Sequence, residues 1–418
     1  MSTSPAPAGP PVDPAPVPPG PSIWVVMLAL LGTHMAGMGA FLTVPVLAPA
    51  IAAETGLSAS LAGVHTALCY FGALLSGPLS QGLLVRHGGV RVCQAALVGI
   101  AVGLALAVLG SPWALVLSAV VAGLAHGPIT PAGSHLLAPR VPPRRRSLIF
   151  GLKQCGVPAG AMLVAATAPL VGGLYGWRAG VLTMSGFALL LALALQPIRA
   201  TLDADRAPEA AGRMRPWHDA RQSLSLLRER GATRALTIAS CGYGVAQFCF
   251  SSFFVVWQVE TRGVALEAAG LQLALAQGGG VVGRVLWALI ADRVGPLRVL
   301  AGLGFAIVAT CLVFALAGPD WPGLIISVAA VAMGASAIGW NGVLLGEVAR
   351  VAPPGRVGAA TAALGFAFAA TMIVMPVVFS LLVMATGGYA WAFGMCAMTA
   401  ALGTLALLRL RPAPAAPR

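Results

Sequence analysis

Twelve apolar runs, each long enough to cross a bilayer, follow one another along this chain with short Arg-bearing segments between them. A hydrocarbon core about 30 Å thick takes roughly 20 apolar residues in a helix. In that solvent every backbone N–H and C=O must be paired inside the protein, which confines such runs to helices. Composition agrees, since 58% of the 418 residues are hydrophobic and 9% are charged, against roughly 25% charged in a soluble domain. The runs lie near 23–50, 60–84, 92–111, 113–138, 148–172, 177–197, 235–258, 266–290, 298–317, 321–346, 358–384 and 388–408. The expected fold class is an all-α membrane protein with twelve transmembrane helices.

Arginine placement gives the organisation. Of the 25 basic residues, Lys153 is the one lysine. The net charge of +13 would suggest nucleic acid in a soluble protein; here an Arg excess on one side of the membrane explains it, and no nucleic-acid partner is expected. With the N-terminus cytoplasmic, that side holds Arg86, Arg91, Arg140, Arg144 to Arg146, Arg293, Arg298, Arg350 and Arg356, while the other holds Arg178 and Arg262. The longest polar interruption, 199–234, carries eight arginines and separates a six-helix set at 23–198 from another at 235–408. Within it, Trp217 to Arg230 is patterned as an amphipathic surface helix. The first 21 residues contain nine prolines and no basic residue. Residues 1–22 are therefore expected to be a disordered cytoplasmic tail rather than a signal peptide, with 409–418 as a second tail.

The two sets repeat. Arg86, Gly88 and Arg91 after the second run match Arg293, Gly295 and Arg298 after the eighth, at an offset of 207. Arg140 to Pro143 and Arg350 to Pro354 are a second echo. The second-half sequence Gly283-Arg284, then Asp292, Arg293, Gly295 and Arg298, resembles the signature loop of the major facilitator superfamily. The first half keeps Gly77, Arg86, Gly88 and Arg91, but Val85 stands where that pattern has an acid. The resemblance covers about 23–408. It implies two pseudo-symmetric six-helix bundles, a substrate site at mid-membrane between them, and a bacterial inner-membrane location with both termini cytoplasmic. It also implies a cytoplasmic gate formed by Arg86, Arg91, Asp292, Arg293 and Arg298, in which Asp292 pairs with arginines and helix ends of its neighbour. Val85 cannot do this, so the first-half latch is weakened or built differently. Lys153 to Gly160 and Gly339 to Arg350 further resemble cyanate-transporter-like and organic-anion permeases. Gly151, Gly156, Pro158 and Gly160 half-match a drug-antiporter motif that Cys155 and Val157 break.

Lys153 is the leading site residue. An ammonium inside an apolar run costs several kcal/mol unless it meets a partner or a cavity; the alternative is snorkelling to the headgroups. At helical spacing Lys153, Gly156 and Gly160 share one face. Pro158 cannot donate to the carbonyl of Gln154, which leaves that carbonyl for another donor. A cation, the Gln154 amide and a loose carbonyl together suit a carboxylate. His34 and His126 are expected to line the cavity, with a satisfied histidine between packed helices as the competing reading; His65 is a weaker candidate. Gln247, Trp340 and Asn341 are the second-half candidates, and Arg284 is expected to anchor its helix.

Several classes are excluded. Lys153 follows Leu152 and precedes Gln154, so no Walker A motif exists. Gly278, Gly280 and Gly283 fit G-x-G-x-x-G but fall inside an apolar run, where helix packing explains them. The seven cysteines form no Cys-x-x-Cys pair, and no metal-ligand spacing, cofactor motif or enzymatic constellation is present. The expectation is a monomeric secondary carrier of a small organic anion, with a proton as possible coupling partner. A proton-antiport drug exporter is the alternative, although only 6% of residues are aromatic. A transport-inactive sensor or scaffold is the remote one.

Overall fold

The computed structural model describes residues 21–142, 145–204, 206, 231–352 and 357–410. The Pro-rich tail, the Trp217 to Arg230 segment and the last eight residues lie outside them. Twelve helices are long and apolar enough to span a membrane. They are α1 Ile23–Thr55, α2 Ala59–His87, α3 Gly89–Ala107, α4 Pro112–Arg140, α5 Ile149–Tyr175, α6 Trp177–Ala194, α7 Ala232–Arg262, α8 Leu266–Val294, α9 Pro296–Leu316, α10 Gly323–Val351, α11 Ala360–Thr386 and α12 Ala390–Leu408. Their edges fall within five residues of the runs read from the sequence. No strand occurs among the described residues.

Four spans are interrupted, each with a local cause: α2 turns through Gly77–Leu79, where Pro78 stands, and the other three breaks bear on the site. α4 breaks into Pro112–His126 and Ile129–Leu137, because Gly127 and Pro128 stand at the joint. α5 breaks at Cys155, between Arg146–Gln154 and Gly156–Tyr175. There Pro158 removes the donor that would bind the Gln154 carbonyl. α10 contains a π-helical turn, Gly334–Ile338, the kind of bulge that leaves helix carbonyls free for other donors.

Small residues set the helix contacts, as expected where packing rather than hydrophobicity drives association. A Cβ at Gly160 would collide with the Met35 carbonyl, and one at Gly156 would lie 2.9 Å from the Leu31 oxygen, so α5 lies directly on α1. A Cβ at Gly279 would lie 2.9 Å from the Val331 oxygen, and one at Gly283 2.5 Å from the Ala335 oxygen. The G-x-G-x-x-G stretch is thus the close approach of α8 to α10. α7 carries the core of the second half: Phe253 stacks on Phe379 at 4.1 Å, and Phe250 on Phe314 at 5.4 Å.

The two halves, α1–α6 and α7–α12, meet most tightly on the face that holds Arg178 and Arg262, here called the arginine-poor face. A Cβ at Gly63 of α2 would collide with the Pro376 carbonyl of α11. The Ser380 hydroxyl donates to the Ser60 carbonyl at 2.6 Å, and Thr66 and Ser252 share a hydrogen bond of 2.9 Å. A Cβ at Gly270 of α8 would lie 2.6 Å from the Ala165 oxygen of α5.

On the arginine-rich face the repeated turns differ. Beyond α6 a short helix, Gln196–Leu202, delivers Asp203 to the start of α3. Its carboxylate accepts from the backbone N–H groups of Val90 at 2.7 Å and Arg91 at 2.9 Å, an anion on a positive helix end. Gly88 has φ +90°, and a Cβ there would collide with the Asp203 side chain. Asp203, which sequence reasoning missed, thus places a carboxylate at this turn, where Val85 supplies none. In the second half Gly295 has φ +97° with open space around it. Asp292 is exposed and makes no hydrogen bond or ion pair among the described residues.

Candidate functional site

Lys153 does not snorkel. It is 1% exposed. Its Nζ donates to Ser134 Oγ at 3.1 Å and lies 3.5 Å from the Thr130 carbonyl, both on α4, with the Phe150 ring 5.4 Å away. Gly133 makes the room: a Cβ there would lie 3.3 Å from Lys153 Cδ and 3.2 Å from His34 Cε1. His34 sits across that gap on α1, buried, with Nδ1 donating to the Leu30 carbonyl at 2.8 Å. Its Nε2 has no partner.

Arg284 reaches the same level from the other half. Its Nη1 donates to the Gln154 carbonyl at 2.7 Å, and its Nε donates to Ile338 O at 3.2 Å. The first carbonyl is the one Pro158 frees. The second closes the π-helical turn of α10. The Gln154 side-chain oxygen is buried without a partner. Neither Lys153 nor Arg284 has a carboxylate partner among the described residues. Glu347 is buried in α10, but Arg350 binds both its oxygens at 2.7 and 2.6 Å.

The second half contributes amides that pair with one another. Asn341 Nδ2 donates to Gln247 Oε1 at 3.3 Å, and Gln277 donates to Ser251 at 3.0 Å. Trp340 is buried between Tyr243 and Phe368, with its indole N–H unpartnered.

An aromatic layer joins the halves beside these groups. Phe41 and Tyr70 lie 4.8 Å apart, Tyr70 and Phe248 5.2 Å, Phe248 and Phe368 6.0 Å. Tyr70, Phe248 and Phe368 are half-buried. Offset or edge-on ring contacts at such distances suit a further aromatic ring.

The structure thus brings Lys153 and His34 together, reaches Gln154 through Arg284, and groups Gln247, Asn341 and Trp340. His126 is half-buried beside α1. Its Nδ1 lies 3.2 Å from the Gly37 carbonyl, and its ring meets Phe41 edge-on at 4.6 Å. Arg86, Arg91, Arg293 and Arg298 are exposed. The Arg284 bridge and the ring layer were missed as site features. Pro158 signalled the first, while nothing local signalled the second. No group of three His, Cys, Asp or Glu side chains capable of holding a metal occurs among the described residues, and all seven cysteines are free.

Twelve spanning helices packed in two halves, with two cations between them that lack a carboxylate partner among the described residues, are the architecture of a membrane carrier. The profile of the Major Facilitator Superfamily matches residues 29–369, and the chain belongs to that family. An uncharacterized MFS-type transporter of Mycobacterium tuberculosis is 26% identical over 310 residues, covering 71% of this chain and 65% of its own length. A gallate transporter of Pseudomonas putida is 26% identical over 300 residues, covering 64% of this chain and again 65% of its own. The chain therefore spans about 65% of the curated relatives it matches. Among solved structures, a nucleoside transporter aligns with TM-score 0.73 at 13% identity, covering 93% of this chain and 99% of that one. A D-xylose-proton symporter aligns with TM-score 0.70 at 17% identity, covering 93% and 97%.

Proposed function

We propose that this transporter carries a small organic anion across the bacterial inner membrane, with an aromatic carboxylate as first candidate. The carrying observation is Lys153: a buried ammonium held by one hydroxyl and one distant carbonyl, with no acid opposite it. A charge so placed is costly unless a ligand completes it. Arg284 adds a second cation, and the two together repel organic cations, which weighs against the drug exporter. The carboxylate is bound between Lys153 and the Arg284 fork. Its ring lies on Tyr70, Phe248 and Phe368, with Gln247, Asn341 and Trp340 on the far wall. The gallate transporter among the relatives supports a ring-bearing acid. His34 Nε2 is the free basic acceptor for a coupling proton.

In this reading the arginine-rich face is cytoplasmic, as the positive-inside rule requires, and the site opens toward it while the opposite face is sealed. The exposed Asp292, with Arg86, Arg91, Arg293 and Arg298, closes that face in the other state. The protein acts as a monomer of two six-helix bundles, 23–198 and 235–408, joined by a cytoplasmic linker.

Thermal stability of the detergent-purified protein tests this. Ligand at a hundred times its dissociation constant adds about 2.7 kcal/mol. Benzoate or a ring-hydroxylated benzoate should stabilise wild type and leave Lys153→Ala unmoved. Stabilisation by cationic amphiphiles alone, indifferent to Lys153, would replace the anion with the exporter.

A further inference from the structure

We infer that Arg284 is a substrate-controlled tie between the two halves. It rests on the anion reading for the identity of the competing ligand, but the tie itself is a feature of the fold. The guanidinium sits on α8 of the second half and donates to the Gln154 carbonyl of the first half at 2.7 Å. That carbonyl is available because residue 158 is proline and has no N–H. On its own side Arg284 is braced by Ile338, whose carbonyl belongs to the π-helical turn of α10. The bond therefore joins two irregular points of backbone, one in each half, through one side chain.

A carboxylate is a stronger acceptor for guanidinium than a neutral carbonyl, and it binds the fork with two parallel bonds. A substrate anion seated at Lys153 competes with Gln154 for Arg284. When the carboxylate wins, the cross-half bond is lost and α5 meets α8 only by direct packing, as at Gly270 and Ala165. When the site empties, Arg284 returns to the carbonyl and the halves are tied again. Binding thus selects the state in which the halves are free to rock, the differential interaction that any ligand-driven shift requires. Neither residue alone explains the arrangement: a guanidinium placed only for binding would have no reason to face a proline-freed carbonyl of the other half.

Two variants separate this tie from a merely structural arginine. Pro158→Ala restores the N–H that pairs Gln154 within α5, so Arg284 is released while its charge stays. Arg284→Lys keeps the charge but cannot hold two carbonyls through a planar fork. Gly82 on α2 and Gly365 on α11 have open space where a side chain would go, so spin labels at Gly82→Cys and Gly365→Cys report the separation of the halves. The full-length chain is used with its native cysteines replaced.

Without ligand, wild type should give one narrow distance distribution, and both variants a broader one. Benzoate should shift wild type toward the distribution that Pro158→Ala already shows, and should bind Pro158→Ala about fivefold or more tightly than wild type. Variants that match unliganded wild type would overturn the tie, whatever the substrate. If benzoate stabilises wild type through Lys153 yet Pro158→Ala keeps the wild-type distances and affinity, only this inference falls. If the variants broaden but benzoate moves nothing, substrate control and the anion reading fall together, and a plain interhelical bond is left.

Discussion

The turn from α2 to α3 and the turn from α8 to α9 occupy equivalent places in the two halves, and their backbones agree. Gly88 and Gly295 have φ of +90° and +97°, a region that costs other residues strain. Their acids do not agree. The first turn takes its carboxylate from Asp203, more than a hundred residues away in sequence, and locks it onto the start of α3. The second carries its own acid, Asp292, and leaves it exposed and unpaired. A repeat can keep its geometry while the group that serves it moves elsewhere in the chain. The first turn is built as a fixed joint, and the second leaves its acid available for the gate proposed above. A related difference runs through the membrane: the first half offers Lys153 without a carboxylate among the described residues and His34 Nε2 without a partner there, whereas Asn341 and Gln247 of the second half already bond each other.

The largest effect that would test this division is at the site. Lys153→Ala should abolish uptake, and Lys153→Arg should leave less than about a tenth, because the fork cannot replace a point charge in a space made by Gly133. Asn341→Ala should retain most of it. Equal losses at both positions, measured as transport at matched membrane levels, would erase the contrast between the halves. Next come the glycines. Gly295→Ala should cost about 1–2 kcal/mol for its backbone alone. Gly88→Ala should cost at least about 1 kcal/mol more, since Asp203 must also move. Equal melting shifts would show that Asp203 is not fixed there. Removing the acids themselves is a smaller change. Asp203→Ala should lose about 1–2 kcal/mol as a helix cap, and Asp292→Ala should stay within about 0.5 kcal/mol as an exposed substitution. The smallest expected effect is kinetic: Asp292→Asn should raise labelling of a cysteine at Gly82 by about twofold, a bias of a few tenths of a kcal/mol. Unchanged labelling would remove Asp292 from the gate.

The twelve helices were legible because each apolar run must be a helix in lipid, and Arg marks where one ends. Lys153 was legible because a charge within such a run stands out, and Pro158 because it leaves a carbonyl unpaired by rule. Which donor takes that carbonyl was not legible. Arg284 is 130 residues distant, and sequence gives no register between α5 and α8. Asp203 was hidden for the same reason, inside a polar linker where an acid carries no signal. The aromatic layer was hidden by averaging, since a 6% aromatic content does not tell that Phe41, Tyr70, Phe248 and Phe368 gather at the meeting of the halves. His126 looked like Lys153 in the sequence, a polar group beside backbone breaks. That Gly37 lets α1 come close enough to accept a hydrogen bond from the His126 ring was not legible, because sequence gives no register between α1 and α4.

The hydroxyl contacts that join the halves on the arginine-poor face, Ser60 with Ser380 and Thr66 with Ser252, carry no charge. Salt screens exposed charges within about 10 Å at 0.1 M but does not act on such neutral contacts. The arginine-rich face, with its exposed Arg86, Arg91, Asp292, Arg293 and Arg298, lies open to that screening. In the proposed cycle, ionic strength therefore acts more on the contacts of the arginine-rich face than on these hydroxyl contacts, and the medium bathing that face helps to set how long the carrier dwells in each orientation.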